Sequence, residues 1–221
     1  MKATVTAAAA VTAPAAPKRG ADQPVYEVRP LKTPAARAEA AALAEERIHA
    51  LAAQRIAPPY PQAPAAFRQD RNEAVGLYEN DEDPALIGCL LLHRGLGHRV
   101  AGVPTPGLRV SLFHTAPHRD GRAGWRMTMW LRDYAARQQT SWVCAEAPGR
   151  HSGPTRRTDR LLGHLRDLGW EVTGSGLGPD GHRLTRLRLP AAASPGLSAM
   201  IRCSVPLRAA GSPAPKEAAQ R

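Results

Sequence analysis

The stretch LRVSLFHTAPHRDGRAGWRMTMWLRDYAARQQTSWVCAE, Leu108–Glu146, changes its hydrophobic period twice. From Leu108 to His114 apolar and polar residues mostly alternate, which is the period of a strand with one buried face. Thr115–Gly121 is a loop. From about Ala123 to Gln138 the spacing lengthens to that of a helix, with Met127, Trp130, Leu131 and Tyr134 on one side. Ser141–Glu146 returns to a strand.

The flanks extend the alternation. Upstream, Ala85–His93 is almost continuously apolar, as expected of a strand buried on both faces. The polar turn Asn80–Pro84 joins it to Glu73–Glu79 as a hairpin. Arg94–Gly107 is a loop. Earlier still, Pro34–Ile56 reads as a helix with Thr33 at its N-cap, Pro34 at its first position, and Ala40, Ala44, Ile48 and Leu51 on one face. Pro58-Pro59-Tyr60-Pro61 ends it. Downstream, Thr155–Leu168 is a helix with a stripe of Leu161, Leu162, Leu165 and Leu168, and Gly169 is placed to cap it. Trp170–Val172 and Arg183–Leu189 read as a closing pair of strands. The expected fold class is α/β, a mixed central sheet flanked by helices. Prolines crowd the first sixty-odd residues and recur after Pro190. The expected division is a disordered Ala/Pro-rich tail over 1–30, one domain over 31–190, and a partly disordered extension over 191–221.

A net charge of +11 and an isoelectric point near 10.5 favour an anionic partner, whether nucleic acid, a phosphorylated cofactor or an acidic surface. Cys89, Cys144 and Cys203 are odd in number and contain no Cys-x-x-Cys pair, so neither a zinc knuckle nor a disulfide framework is indicated. No stretch is long and apolar enough to span a membrane, and the expected location is the cytoplasm. His114 and His118 lack a third partner, so no metal site is expected. There is no Gly-x-x-x-x-Gly-Lys-Ser/Thr run, and Ser111, Ser141 and Ser152 lack the Gly-x-Ser-x-Gly elbow of hydrolases.

The chemistry gathers at the loop before the central helix. A helix N-terminus presents unpaired N–H groups and a partial positive charge, a natural phosphate cradle, and glycines let the backbone approach closely. His118-Arg119-Asp120-Gly121-Arg122-Ala123-Gly124 adds basic side chains to that geometry. The loop resembles the Arg/Gln-x-x-Gly-x-Gly/Ala signature of the GNAT N-acetyltransferases, whose amides hold the pyrophosphate of acetyl-CoA. Two registers stand open. His118-x-x-Gly121-x-Ala123 keeps the central glycine and changes the lead residue, whereas Arg119-x-x-Arg122-x-Gly124 keeps both ends and changes the centre. Leu86-Ile87-Gly88-Cys89-Leu90 is similar to the family's glycine-bearing strand, and Leu168-Gly169-Trp170 to its Leu-Gly-Phe.

The resemblance implies acetyl-CoA as co-substrate and an amine as acceptor, either a small molecule or a protein N-terminus or lysine. It places the pyrophosphate at His118, Arg119, Gly121, Arg122, Ala123, Gly124 and Trp125, and the pantetheine beside Phe113, His114 and Thr115. The family's late-helix tyrosine, a general acid, falls on Leu165 here, flanked by His164. Catalytic candidates are therefore His164 as acid and Glu146, at a strand end, as base. The competing reading is a catalytically degenerate, basic GNAT-like module that binds protein or nucleic acid, although no helix-turn-helix or RNA-binding sheet signature is present.

Overall fold

The computed structural model describes residues 25–53, 60–95, 99–100, 103–104, 107–117, 122–148, 156–178, 181 and 183–207. In chain order the elements begin with β1 (Tyr26–Pro30), α1 (Pro34–Ala53), α2 (Ala63–Arg68), β2 (Glu73–Glu79), β3 (Ala85–Arg94) and a two-residue ladder of β4 (Arg99–Val100) with β5 (Val103–Pro104). They continue with β6 (Leu108–Thr115), α3 (Arg122–Arg137), β7 (Trp142–Pro148), α4 (Arg156–Asp167), β8 (Glu171–Leu177), β9 (Arg183–Pro190), α5 (Leu197–Met200) and β10 (Ile201–Cys203). No helix among the described residues is long and apolar enough to cross a membrane.

Eight strands form one mixed sheet in the order β10-β1-β2-β3-β6-β7-β9-β8. β6 and β7 are parallel with α3 as their crossover, and β2, β3 and β6 form an antiparallel run. The expected α/β class is what the chain adopts. β3 is buried from Leu86 to Leu92, the burial its unbroken apolar run requires. Alternate residues of β2 and β3 feed two cores. Val75, Leu77, Leu90 and Leu92 meet Met127, Trp130, Leu131 and Tyr134 of α3, each of these four fully buried. Ala74, Tyr78, Cys89 and Leu91 face Ala40, Ala41 and Ala44 of α1 and Phe67 of α2. Small residues on α1 let it lie close to the sheet.

The domain boundaries differ from those expected. Tyr26–Pro30 was assigned to the 1–30 tail but is a strand antiparallel to β2. Ile201–Cys203, assigned to the 191–221 extension, pairs with β1 in parallel. Neither segment is long enough to display a period, and each is held by a partner remote in sequence. Ser204 N–H donates to the Val28 carbonyl at 2.8 Å, and Tyr134 Oη donates to the Pro206 carbonyl at 2.8 Å, fastening this strap over the α3 core. The short helix α5 also falls within the expected extension, and of the two segments only residues 1–24 and 208–221 lie outside the described residues. α2 and the β4–β5 ladder are also additions to the sequence reading.

Two local features set up the site. Gly169 adopts φ +91, and its N–H donates to Arg166 while that of Trp170 donates to Leu165, so α4 ends where expected. Leu112 also has positive φ, +51, beside a register shift between β3 and β6 at Cys89/Leu91. A branched side chain in that region costs about 1 kcal/mol or more, and the bulge it accompanies bends β6.

Candidate functional site

β6 and β7 share only three register positions, Leu108 with Val143, Arg109 with Cys144 and Val110 with Ala145. Beyond them β6 stays paired with β3 through Thr115, while β7 stays paired with β9 through Pro148. The two strands therefore part just where Leu112 bends β6. From Ser111 onward the edge of β6 that faced β7 has no strand partner among the described residues.

A cavity of about 400 Å³ fills the opening, within the usual range for small-ligand sites. Its floor is β6 from Val110 to Thr115 and β7 from Ala145 to Ala147. Ala123 and Gly124, from the first turn of α3, close one end, while Leu161, His164 and Leu165 of α4, with Leu168 just after it, form a largely apolar wall. A Cβ on Gly124 would meet nothing within 4 Å, so this turn leaves room for a ligand.

Phe113, His114, Thr115, Ala123, Gly124, Glu146 and His164 thus all line one cavity. Arg122 begins α3 but does not line the cavity, and Trp125 stands exposed on the helix, also outside the lining. His118, Arg119 and Gly121 lie outside the described residues. Among the described residues no group of His, Cys, Asp and Glu is arranged to hold a metal ion.

His114 is the most perturbed of these groups. Burial, reinforced by the charge of Arg47, pushes its pKa down to about 4, so the ring is neutral at physiological pH. Its ring meets Phe67 edge to face at 6.1 Å, and its Nε2 is buried with no hydrogen-bond partner among the described residues. A neutral imidazole with an unused buried nitrogen awaits a polar atom from a ligand.

Arg47 and Tyr60 also line the cavity, and the sequence reading missed both. Tyr60 sits in the proline run that ends the first helix pattern. Arg47 follows Ala44 by three positions, so it continues the buried stripe of Ala40 and Ala44. A charged residue on that stripe was the one available signal.

The parting of β6 from β7, with a helix start at one end and a late helix along the side, decides the architecture when set beside solved structures. A GNAT-family protein from Desulfovibrio desulfuricans superposes with a TM-score of 0.53 at 15% identity, covering 76% of this chain and 99% of that one. A protein assigned as a phosphinothricin N-acetyltransferase gives 0.50 at 14% identity, covering 76% and 99%. This chain has the GNAT fold. At these identities the likeness is one of architecture. No family model matches the sequence, and no curated protein sequence matches it. Leu165 lines the cavity and packs partly buried against the core, and α4 carries no tyrosine, so no phenol of that helix reaches the cavity.

Proposed function

We propose that the protein is an acetyl-CoA-dependent N-acetyltransferase acting on a primary amine. The observation that carries this reading is the parting of β6 and β7 over a cavity whose walls suit the two halves of the donor. The unpaired edge of β6 around Phe113–Thr115 can take an extended, amide-bearing arm as a strand would be taken. The open first turn of α3, at Ala123 and Gly124, supplies helix-terminal N–H groups and positive potential for a pyrophosphate. Arg122 begins that helix, and His118, Arg119 and Gly121 precede it in the chain. Leu161, Leu165 and Leu168 keep water from the reacting end.

Bound acetyl-CoA supplies a thioester carbon open to attack by an amine. The side chains have three tasks. At neutral pH the acceptor arrives as an ammonium, and Glu146 takes its proton through a water molecule. His114, held neutral, can accept a hydrogen bond from the same nitrogen. His164, exposed on α4 at the cavity rim, provides the proton the departing sulfur needs. With leucine at position 165, much of the rate must come from holding the two reactants together.

Calorimetric titration of the full chain with acetyl-CoA tests the reading. Saturable heat, followed by amine-dependent release of free CoA, is the expected result. Absence of heat, with salt-sensitive binding of DNA instead, would overturn it in favour of a basic binding module.

A further inference from the structure

Arg47 reaches the cavity from α1, the layer on the opposite face of the sheet from α3. Among the described residues its guanidinium has neither an ion pair nor a hydrogen bond. A half-buried cation facing a mainly apolar cavity gains most from an anion, because desolvation without a counter-charge is costly. Its planar fork matches a carboxylate or phosphate with two parallel N–H donors. His114 lies within reach of its charge and offers the unpartnered Nε2. The titratable groups lining the cavity are Arg47, Tyr60, His114, Glu146 and His164, so one carboxylate and one guanidinium face the same space. A purely cationic acceptor would meet repulsion from Arg47.

Building on the N-acetyltransfer reading, we infer that the acceptor is a small amine that also bears an anionic group, a carboxylate or a phosphate, held by Arg47 while its nitrogen faces Glu146 and His114. The nitrogen forms a bond to the acetyl carbon as the carbon–sulfur bond breaks. Of the two protons the ammonium gives up, one goes to sulfur and the other to solvent by way of Glu146. Nothing is oxidised or reduced.

The test pairs amines that differ only in the acid. Glycine is compared with glycinamide, β-alanine with its amide, and phosphoethanolamine with ethanolamine, acetylated product being measured by mass spectrometry. In at least one pair the acidic member should be preferred by about tenfold or more in kcat/KM, the scale of one well-placed charged contact. The preferred pair tells carboxylate from phosphate. Arg47→Gln should collapse that preference by raising KM for the acidic amine, with KM for acetyl-CoA unchanged, and Arg47→Lys should retain most of it. Equal use of neutral and acidic amines would overturn the inference, as would an Arg47→Gln effect on acetyl-CoA instead of acceptor. So would failure to acetylate any acidic amine by protein that binds acetyl-CoA. If acetyl-CoA itself gives no heat, the N-acetyltransfer reading fails first and the inference goes with it.

Discussion

Arg37 on α1 donates through Nη2 to the carbonyl of Asn72 at 2.8 Å, a bond that ties the helix to the start of β2. The same guanidinium donates to the carbonyls of Phe67, Gln69 and Asp70. Arg37 is almost wholly buried, and its donors satisfy the turn that carries Phe67 against His114. Arg37→Met should cost about 3 kcal/mol, since one buried and three part-buried carbonyls lose their donor together. Urea unfolding measures it. A loss within about 0.5 kcal/mol, the usual range for a surface substitution, would show that the turn holds itself.

His114 should give the fold an acid-sensitive limb. Its ordinary pKa of 6.5 applies in the unfolded chain, and burial lowers it to about 4 in the folded one. Between those values the unfolded state binds the extra proton. Stability is therefore complete above pH 6.5 and falls as pH drops toward 4, by at most about 3 kcal/mol. His114→Gln should flatten most of that slope. His93, lowered in the same direction by burial and then by Arg109, keeps a smaller one. Denaturant midpoints across this pH range test it, and an unchanged slope in the variant would reject the assignment.

Gly124 separates fold from ligand. Because a side chain there meets open space, Gly124→Ala should stabilise α3 by about 0.5–1 kcal/mol through lower unfolded-state entropy. Gly124→Glu should leave melting nearly unchanged yet weaken acetyl-CoA binding by about tenfold or more, since a carboxylate would occupy the phosphate end of the cavity. Arg122→Glu, at the helix start, should act in the same direction. Binding that survives both variants would move the phosphate subsite away from this turn.

Glu146 and His164 should separate kinetically. Glu146→Gln should lower kcat by about 10²-fold at neutral pH, the scale of a lost general base, and raise activity again at high pH where the amine is already neutral. His164→Gln, at an exposed position, should lower kcat less than Glu146→Gln does. Steady-state kinetics over pH settles both, and a Glu146→Gln enzyme of full activity would remove that residue from the chemistry.

Much of the architecture was legible because its signals are local. The shift of period from Leu108–His114 to Met127–Tyr134 and back marks strand, helix and strand with nothing else needed, and Gly169 marks the end of α4 by the backbone it alone adopts easily. The bend at Leu112 was not legible, since a leucine at positive φ contradicts its own preference and is imposed by the β3–β6 register. β6, β7 and α4, which supply the cavity's floor and apolar wall, were legible as elements because each is strongly patterned, whereas the space they enclose depends on how they pack. Arg47 showed itself only as a charge on the α1 stripe, and its place in the cavity depends on how α1 lies over β6, a tertiary matter that helical spacing does not encode. α2, six residues long, is too short to announce itself.

The strap formed by β1 and β10 has a bearing on how the molecule is made. Val28 is aligned with Cys203, so β1 leaves the ribosome well before its outer neighbour exists. Until then one margin of the sheet has open backbone groups, and the faces of Trp130 and Tyr134 that meet Cys203 and Pro206 stay uncovered. A newly synthesised chain is thus exposed to mispairing at that margin until Ile201–Cys203 has been translated. A nonsense codon anywhere after Pro190 but before Ile201 would yield a product with every cavity-lining residue in place and a sheet that cannot be sealed.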